Sequence, residues 1–355
     1  MPAPVPGRPV DRWEPDVLGP DFERLTLELG TDADGRGPVV ATLVRHVPST
    51  GPGALGAGRG ALLHVHGYTD YFFQTGLAQR VAAAGRGFYA LDLRRCGRSL
   101  REGQTPHFTT DLAVYDAELD RALALVRGAL AQAGAPGSVV VEAHSTGGLL
   151  APLWLDRRRR AGADPVAGLV LNSPWFDLQG APYLRGVGTL AVDALGRVAP
   201  HRVLPTPVAD AYGASLHASR QGEWDYDLAW KPLEGVAVRA GWLRAVRRGH
   251  AALHRGLDVG CPSLVLRSDR SVLAASWREE VDAGDAVLDV AQIARWSGCL
   301  GGRTLVAPVP GARHDVFLSR PAARERAYAE LDAWLAGLEA DAAAASTAGG
   351  GTHTR

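Results

Sequence analysis

Hydrophobic and polar positions alternate in two rhythms along this chain, and the change between them is the first structural information it carries. Residues 22–29 (FERLTLEL) and 39–44 (VVATLV) alternate with period two and predict a hairpin turning within 30–37. A Gly/Pro-rich loop over 48–60 leads into a short apolar strand at 61–66 (ALLHVH), a helix around 75–84 and a strand at 88–92. Over 111–131 the apolar residues Leu112, Tyr115, Leu119, Leu123, Val126 and Leu130 keep a 3.6-residue period and predict a long amphipathic helix. Another apolar strand follows at 139–141, then a helix to about Arg160, then a strand at 168–172. Strands alternating with helices at this spacing predict a mostly parallel central sheet covered by helices on both faces.

The rhythm breaks between residues 174 and 256. No apolar strand run occurs there; short helical patterns are interleaved with prolines and with Trp175, Phe176, Tyr183, Tyr212, Trp224, Tyr226, Trp230 and Trp242. This stretch reads as an inserted, mainly helical cap. Strand patterns resume at 263–267 and 303–309, and a last helix opening near Pro321 keeps Tyr328, Leu331, Leu335 and Leu338 on one face. The expected organisation is therefore an extended Pro-rich arm (1–20), an α/β core (21–173 and 257–340), the inserted cap (174–256) and a low-complexity, disordered tail (341–355).

Composition narrows the picture by exclusion. With 38 basic and 38 acidic residues, nothing points to nucleic acid or an anionic surface as a partner. Three cysteines, Cys96, Cys261 and Cys299, are too few and too scattered for a disulfide framework or a zinc site. The first residues hold no apolar core of a signal peptide, and no run of about 18 apolar residues suggests a membrane span, so a cytoplasmic location is expected.

The chemistry starts at Ala143-His144-Ser145-Thr146-Gly147, where the strand at 139–141 must turn sharply into a helix. A Ser flanked by tiny residues two before and two after is the pattern of a nucleophile elbow, because larger side chains would collide across the strained turn. Ala143 stands where that pattern usually has Gly; a tight turn with a capping Ser is the alternative reading. A Ser nucleophile needs a base and a carboxylate that orients the base, following in the order Ser, acid, His. His314 sits in the loop between the last strand and the last helix, where the base belongs. Three carboxylates compete for the acid: Asp285, which opens a D-x-V-apolar-D pattern with Asp289 as helix N-cap; Asp269, just past the strand at 263–267; and Asp177, after the preceding strand. The N–H groups of Thr146 and of Tyr68, in His66-Gly67-Tyr68, would form the oxyanion hole. His64 and His66 share a strand face, but no third ligand at sensible spacing supports a metal site, and no cofactor motif is present. His144 is expected to be structural, and Arg157 to Arg160 to form the solvated end of the helix after the elbow.

Four motifs in order, H-G-Y at 66–68, LDLRRCGRS at 91–99, AHSTGG at 143–148 and GARHDVFLS at 311–319, resemble the lysophospholipase and monoacylglycerol-lipase-like α/β-hydrolases, a group also labelled with the serine aminopeptidase domain name. The resemblance spans roughly residues 20–340. It implies an α/β-hydrolase fold with a helical cap, Ser145, His314 and Asp285 as the triad, and Tyr68 and Thr146 as oxyanion donors. Two departures stand out: Ala143 in the elbow, and a lengthened segment 269–283 before the acid, which keeps the choice of acid open. The expected activity is hydrolysis of a carboxylic ester with an apolar acyl chain through an acyl-enzyme. Aminopeptidase action, acyl transfer or perhydrolysis on the same residues, and a non-catalytic ligand-binding role, are the alternatives.

Overall fold

The computed structural model describes residues 12–31, 37–48, 58–179, 187–205 and 209–349. Nine strands form one sheet in the order β1-β2-β3-β5-β4-β6-β7-β8-β9. The strands are β1 (Glu14–Asp16), β2 (Gly19–Thr31), β3 (Pro38–His46), β4 (Ala61–Val65), β5 (Gly87–Asp92), β6 (Val139–His144), β7 (Gly168–Asn172), β8 (Ser263–Ser268) and β9 (Thr304–Val309). β1 to β3 run antiparallel, β3 meets β5 antiparallel, and β5 through β9 are joined by parallel pairings.

The central strands are buried along their whole length, as strands covered on both faces must be. Their alternate residues sort into two cores. Leu63, Val65, Val141, Leu169 and Leu171 face helices α2 (Asp116–Gln132) and α3 (Gly147–Arg160), whose Leu119, Leu123, Leu149 and Trp154 join the same cluster. Leu62, Val140, Val170, Leu264 and Leu266 face α1 (Thr75–Ala83) and the C-terminal helix, where Leu77, Val81, Tyr328 and Leu331 meet them. Each such side chain contributes about 1.5–3 kcal/mol by leaving water, so a one-residue slip of register would be heavily opposed.

Between β7 and β8 lie α4 (Val187–Val198), α5 (Ala211–Leu216) and α6 (Ala240–His254). α6 packs onto the α2/α3 face through Trp242, Val246 and Leu253. A short helix α7 (Val290–Trp296) precedes β9, and α8 (Pro321–Gly349) ends the described chain.

Three expectations are changed in detail by the packing. The N-terminal arm, read as extended through residue 20, is joined to the sheet: β1 pairs with β2, Trp13 lies under the Arg45 guanidinium, and Asp16 forms a buried ion pair with Arg98; residues 1–11 lie outside the described residues. The stretch from Asp341, read as a disordered tail, begins as helix: α8 continues to Gly349 because its Ala-rich run has high helix propensity and extends an existing helix without a new nucleus; residues 350–355 lie outside the described residues. Arg157 to Arg160 are not simply solvated: they pair with Asp116, Asp120, Asp258 and Asp156 respectively. Asp156 lies one turn back on the same helix, whereas Asp116, Asp120 and Asp258 are distant in the chain and are brought to the arginines by the packing.

Candidate active site

The site is assembled at the carboxyl ends of the parallel strands. β6 ends at His144, and Ser145 follows with φ of +54°, a left-handed conformation that costs a non-glycine residue roughly 1–3 kcal/mol. Two backbone bonds from the neighbouring strand end hold it: Ser145 N–H donates to Asn172 O at 2.9 Å, and Trp175 N–H donates to Ser145 O at 2.9 Å. The glycine after Thr146 is dictated by space, since a Cβ on Gly147 would stand 2.5 Å from the His66 carbonyl oxygen. A Cβ on Gly67 would likewise stand 2.9 Å from the Ser145 Cβ, so the turn after β4 and the elbow approach closely only because glycine is present.

His314 Nε2 lies 2.9 Å from Ser145 Oγ, and its Nδ1 lies 3.0 Å from Asp285 Oδ2. All three are buried. The other oxygen of Asp285 accepts the N–H groups of Val287 and Leu288, each at 2.8 Å, which fixes the carboxylate plane. Of the three acid candidates, Asp285 is thus the one placed at His314. The lengthened segment after β8 loops out and returns: Val272 N–H donates to Asp285 O and Asp285 N–H to Arg270 O, so Asp285 re-enters beside the strand end. Asp269, partly exposed, instead accepts the Gly311 N–H at 3.0 Å and ties the turn that carries His314. Asp177 faces Arg247 at 2.7 Å; burial alone would raise its carboxyl, but this ion pair and the Leu178 N–H hold it below the ordinary range.

Arg313 and Asp315 brace His314 from both sides. The Arg313 guanidinium, fully buried, reaches Asp282 at 2.7 Å and Leu318 O at 2.9 Å. Asp315 accepts Asn172 Nδ2 at 2.7 Å and Gln74 Nε2 at 3.1 Å. The Tyr212 ring stands edge-on to the imidazole, with centroids 5.3 Å apart.

Ser145, Thr146, Tyr68 and His314 line one cavity of about 240 Å³. Among the described residues, no acceptor takes the backbone N–H of Tyr68 or Thr146. The walls are largely apolar and come from both parts of the chain: Trp175, Tyr212, Tyr226, Val238 and Trp242 from the segment between β7 and β8, Val287 and Leu288 from the acid loop. Tyr68 packs against Trp242 with ring centroids 3.8 Å apart.

His64, His66 and His144 each have buried partners. His66 accepts the Leu93 N–H at Nε2 and lies 2.7 Å from Gly67 O through Nδ1, while His64 Nδ1 meets Glu142, so the pair serves the buried strand ends. His144 also lines the cavity, its ring centroid 4.8 Å from that of His314, and its Nδ1 lies 3.1 Å from Asp70 Oδ2. Asp70 has a second partner that no sequence motif marks: Lys231, whose Nζ donates to Asp70 Oδ1 at 2.9 Å. Lys231 is the only lysine among 38 basic residues, a signal that was present in the composition.

The family described as serine aminopeptidase, S33, matches residues 56–276. None of the curated proteins matches the chain. Among solved structures, a soluble variant of monoglyceride lipase from Saccharomyces cerevisiae aligns with a TM-score of 0.60 at 15% identity, covering 95% of this chain and 97% of that one. A monoacylglycerol lipase from Paleococcus ferrophilus aligns at 0.53 with 19% identity over 79% and 95% of the two chains. A thermostable carboxyl esterase from Bacillus coagulans aligns at 0.59 with 13% identity over 89% and 98%. The architecture is the α/β-hydrolase fold. No helix of the described residues is long and apolar enough to cross a membrane.

Proposed function

The chain belongs to the hydrolase family described as serine aminopeptidase, S33, and from that premise we propose that it hydrolyses carboxylic esters with an apolar acyl chain through an acyl-enzyme. The observation that carries the proposal is the Ser145–His314–Asp285 relay, with gaps of 2.9 and 3.0 Å, opening onto an apolar cavity. Ser145 Oγ attacks the carbonyl carbon as His314 Nε2 takes its proton. Asp285 holds the proton on Nδ1 and stabilises the imidazolium that forms. The N–H groups of Tyr68 and Thr146 receive the developing oxyanion, and because they are unpaired beforehand no hydrogen bond need break first. His314 then gives its proton to the leaving alkoxide, and the same steps with water release the acid.

We read the segment 174–256 as a cap over this site. Its Trp175, Tyr226, Val238 and Trp242 supply wall rather than chemistry, which suits an acyl chain entering from water. The similarity to lipase and esterase structures supports the same class of substrate. The aminopeptidase reading would need a carboxylate to receive a substrate ammonium. Asp70 is occupied by Lys231, and Glu234, at the cavity edge, is exposed. Turnover of p-nitrophenyl esters graded by acyl length, beside a panel of aminoacyl anilides, tests the reading: medium or long acyl esters should be preferred by at least ~100-fold in kcat/KM. Faster anilide turnover would transfer the assignment to peptides, with Glu234 as the amine site.

A further inference from the structure

We propose that Lys231 is a positioning residue for the oxyanion loop, through which the seated cap fixes the backbone donor at Tyr68. The proposal rests on the ester-hydrolase reading. The loop Gly67-Tyr68-Thr69-Asp70 turns through a left-handed Thr69 with φ of +53°, a conformation that its own sequence does not favour. Four bonds to one cap segment, residues 231–237, hold it. Lys231 Nζ donates to the Thr69 carbonyl at 3.3 Å as well as to Asp70, Val236 N–H donates to Thr69 Oγ1 at 2.9 Å, and Tyr68 Oη donates to Ala237 O at 3.1 Å. The donor assigned to the oxyanion lies inside this clamp.

Asp70 extends the clamp to the elbow. One of its oxygens is held by Lys231; the other lies 3.1 Å from His144 Nδ1, next to Ser145, and 3.5 Å from the Gly67 N. One buried carboxylate thus joins cap, oxyanion loop and elbow. Burial alone would raise its carboxyl; the Lys231 ammonium, then the His144 hydrogen bond, reverse this and keep it well below the ordinary range. The chain uses arginine at every other basic position. Here the ammonium, a more compact donor than a guanidinium, sits among the rings of Phe73, Tyr212 and Tyr226, 5.7, 5.7 and 5.9 Å from their centroids.

The test compares wild type with Lys231→Met, Lys231→Arg and the double variant Asp70→Asn/Lys231→Met. It measures ester kcat and KM, direct binding of an alkyl boronic acid, melting temperature, and hydrogen exchange of residues 67–73. Loss of part of an oxyanion donor's alignment should lower kcat by ~10–100-fold in Lys231→Met, with KM within ~3-fold and boronate affinity weakened by the same factor as kcat. Lys231→Arg should recover part of the loss, and the double variant should recover melting temperature without recovering kcat. Unchanged kcat in Lys231→Met, a kcat loss that boronate affinity does not follow, or full recovery of kcat in the double variant would overturn the proposal and leave Lys231 as a mere partner for a buried acid. A wild type that turns over no ester and takes no fluorophosphonate at Ser145 would instead count against the ester-hydrolase reading. Hydrogen exchange then decides alone: faster exchange at 67–73 in Lys231→Met supports the clamp, and unchanged exchange refutes it.

Discussion

The strand-end loops and the segment between β7 and β8, read above as a cap, line the same cavity under different kinds of constraint. At the strand ends, each polar atom is held by short bonds to neighbouring loops and strand ends: Ser145 by Asn172 O and Trp175 N–H, Asp285 by the Val287 and Leu288 N–H groups, Asp315 by the side-chain amides of Asn172 and Gln74. In the cap, the cavity-facing residues include four large rings, Trp175, Tyr212, Tyr226 and Trp242, and aliphatic or small residues that fill space, with Lys231 and Glu234 as the charged members. The difference teaches where tolerance lies. Displacing a strand-end atom misaligns a reacting group, whereas trimming a ring changes how much apolar surface a substrate covers.

The largest effects are expected at the strand ends. Ser145→Ala is expected to lower ester kcat by at least ~10⁴-fold with the melting temperature unchanged, read by steady-state kinetics and thermal melting. Asp285→Asn should cost ~10³–10⁴-fold, because the imidazole loses the acceptor that fixes its tautomer. Asp177→Asn and Asp269→Asn should each stay within ~5-fold in kcat, since their carboxylates serve Arg247 and Gly311. A large loss in Asp177→Asn would move the acid to β7.

A buried histidine in each region sharpens the comparison through stability. His107, behind the oxyanion loop, and His250, on α6, are both pushed down to about 3, by burial first and then by nearby positive or histidine neighbours. His250 lies 2.9 Å from Trp175 O through Nε2, and Nδ1 faces Arg247 at 3.1 Å, so a second proton has no place. Their folded values lie below the unfolded 6.5, so the stability they allow is complete above pH 6.5 and is lost as pH falls from there toward 3. At pH 5 the loss is about 2 kcal/mol for each, from about 1.4 kcal/mol per pH unit. His64, raised by Glu142 against the effect of burial, works in the opposite sense. Denaturant melts at pH 7 and 5 should show the loss, and His250→Gln, which keeps the donor to Trp175 O, should shrink it.

Smallest in effect should be the cap wall. Trp242→Ala is expected to raise KM for long acyl esters by ~3–10-fold with a lesser change in kcat, measured across acyl lengths. An equal fall in kcat for short and long esters would show that Trp242 acts through Tyr68 rather than as wall.

Much of this was legible because it is local. The period-two strands, the Ser between tiny residues and the His in the last strand-to-helix loop each declare themselves within about ten residues. What stayed open depends on distant partners. Asp285 could not be separated from Asp269 and Asp177 because its return to β8 is made by a bridge to Ser271 across a looped-out segment. The ion pairs of the arginines ending the elbow helix were hidden because Asp116, Asp120 and Asp258 lie far away in the chain. Lys231 was visible as a lone lysine, but nothing near it in sequence points to Asp70.

Activation of Ser145 as a nucleophile is read by mass spectrometry of the protein after brief exposure to a fluorophosphonate, with the adduct mapped by peptide. One adduct per chain, on Ser145, slowed at least ~100-fold in His314→Ala, is the predicted result. No adduct, an adduct elsewhere, or labelling of Ser145 at an unchanged rate in His314→Ala would contradict it.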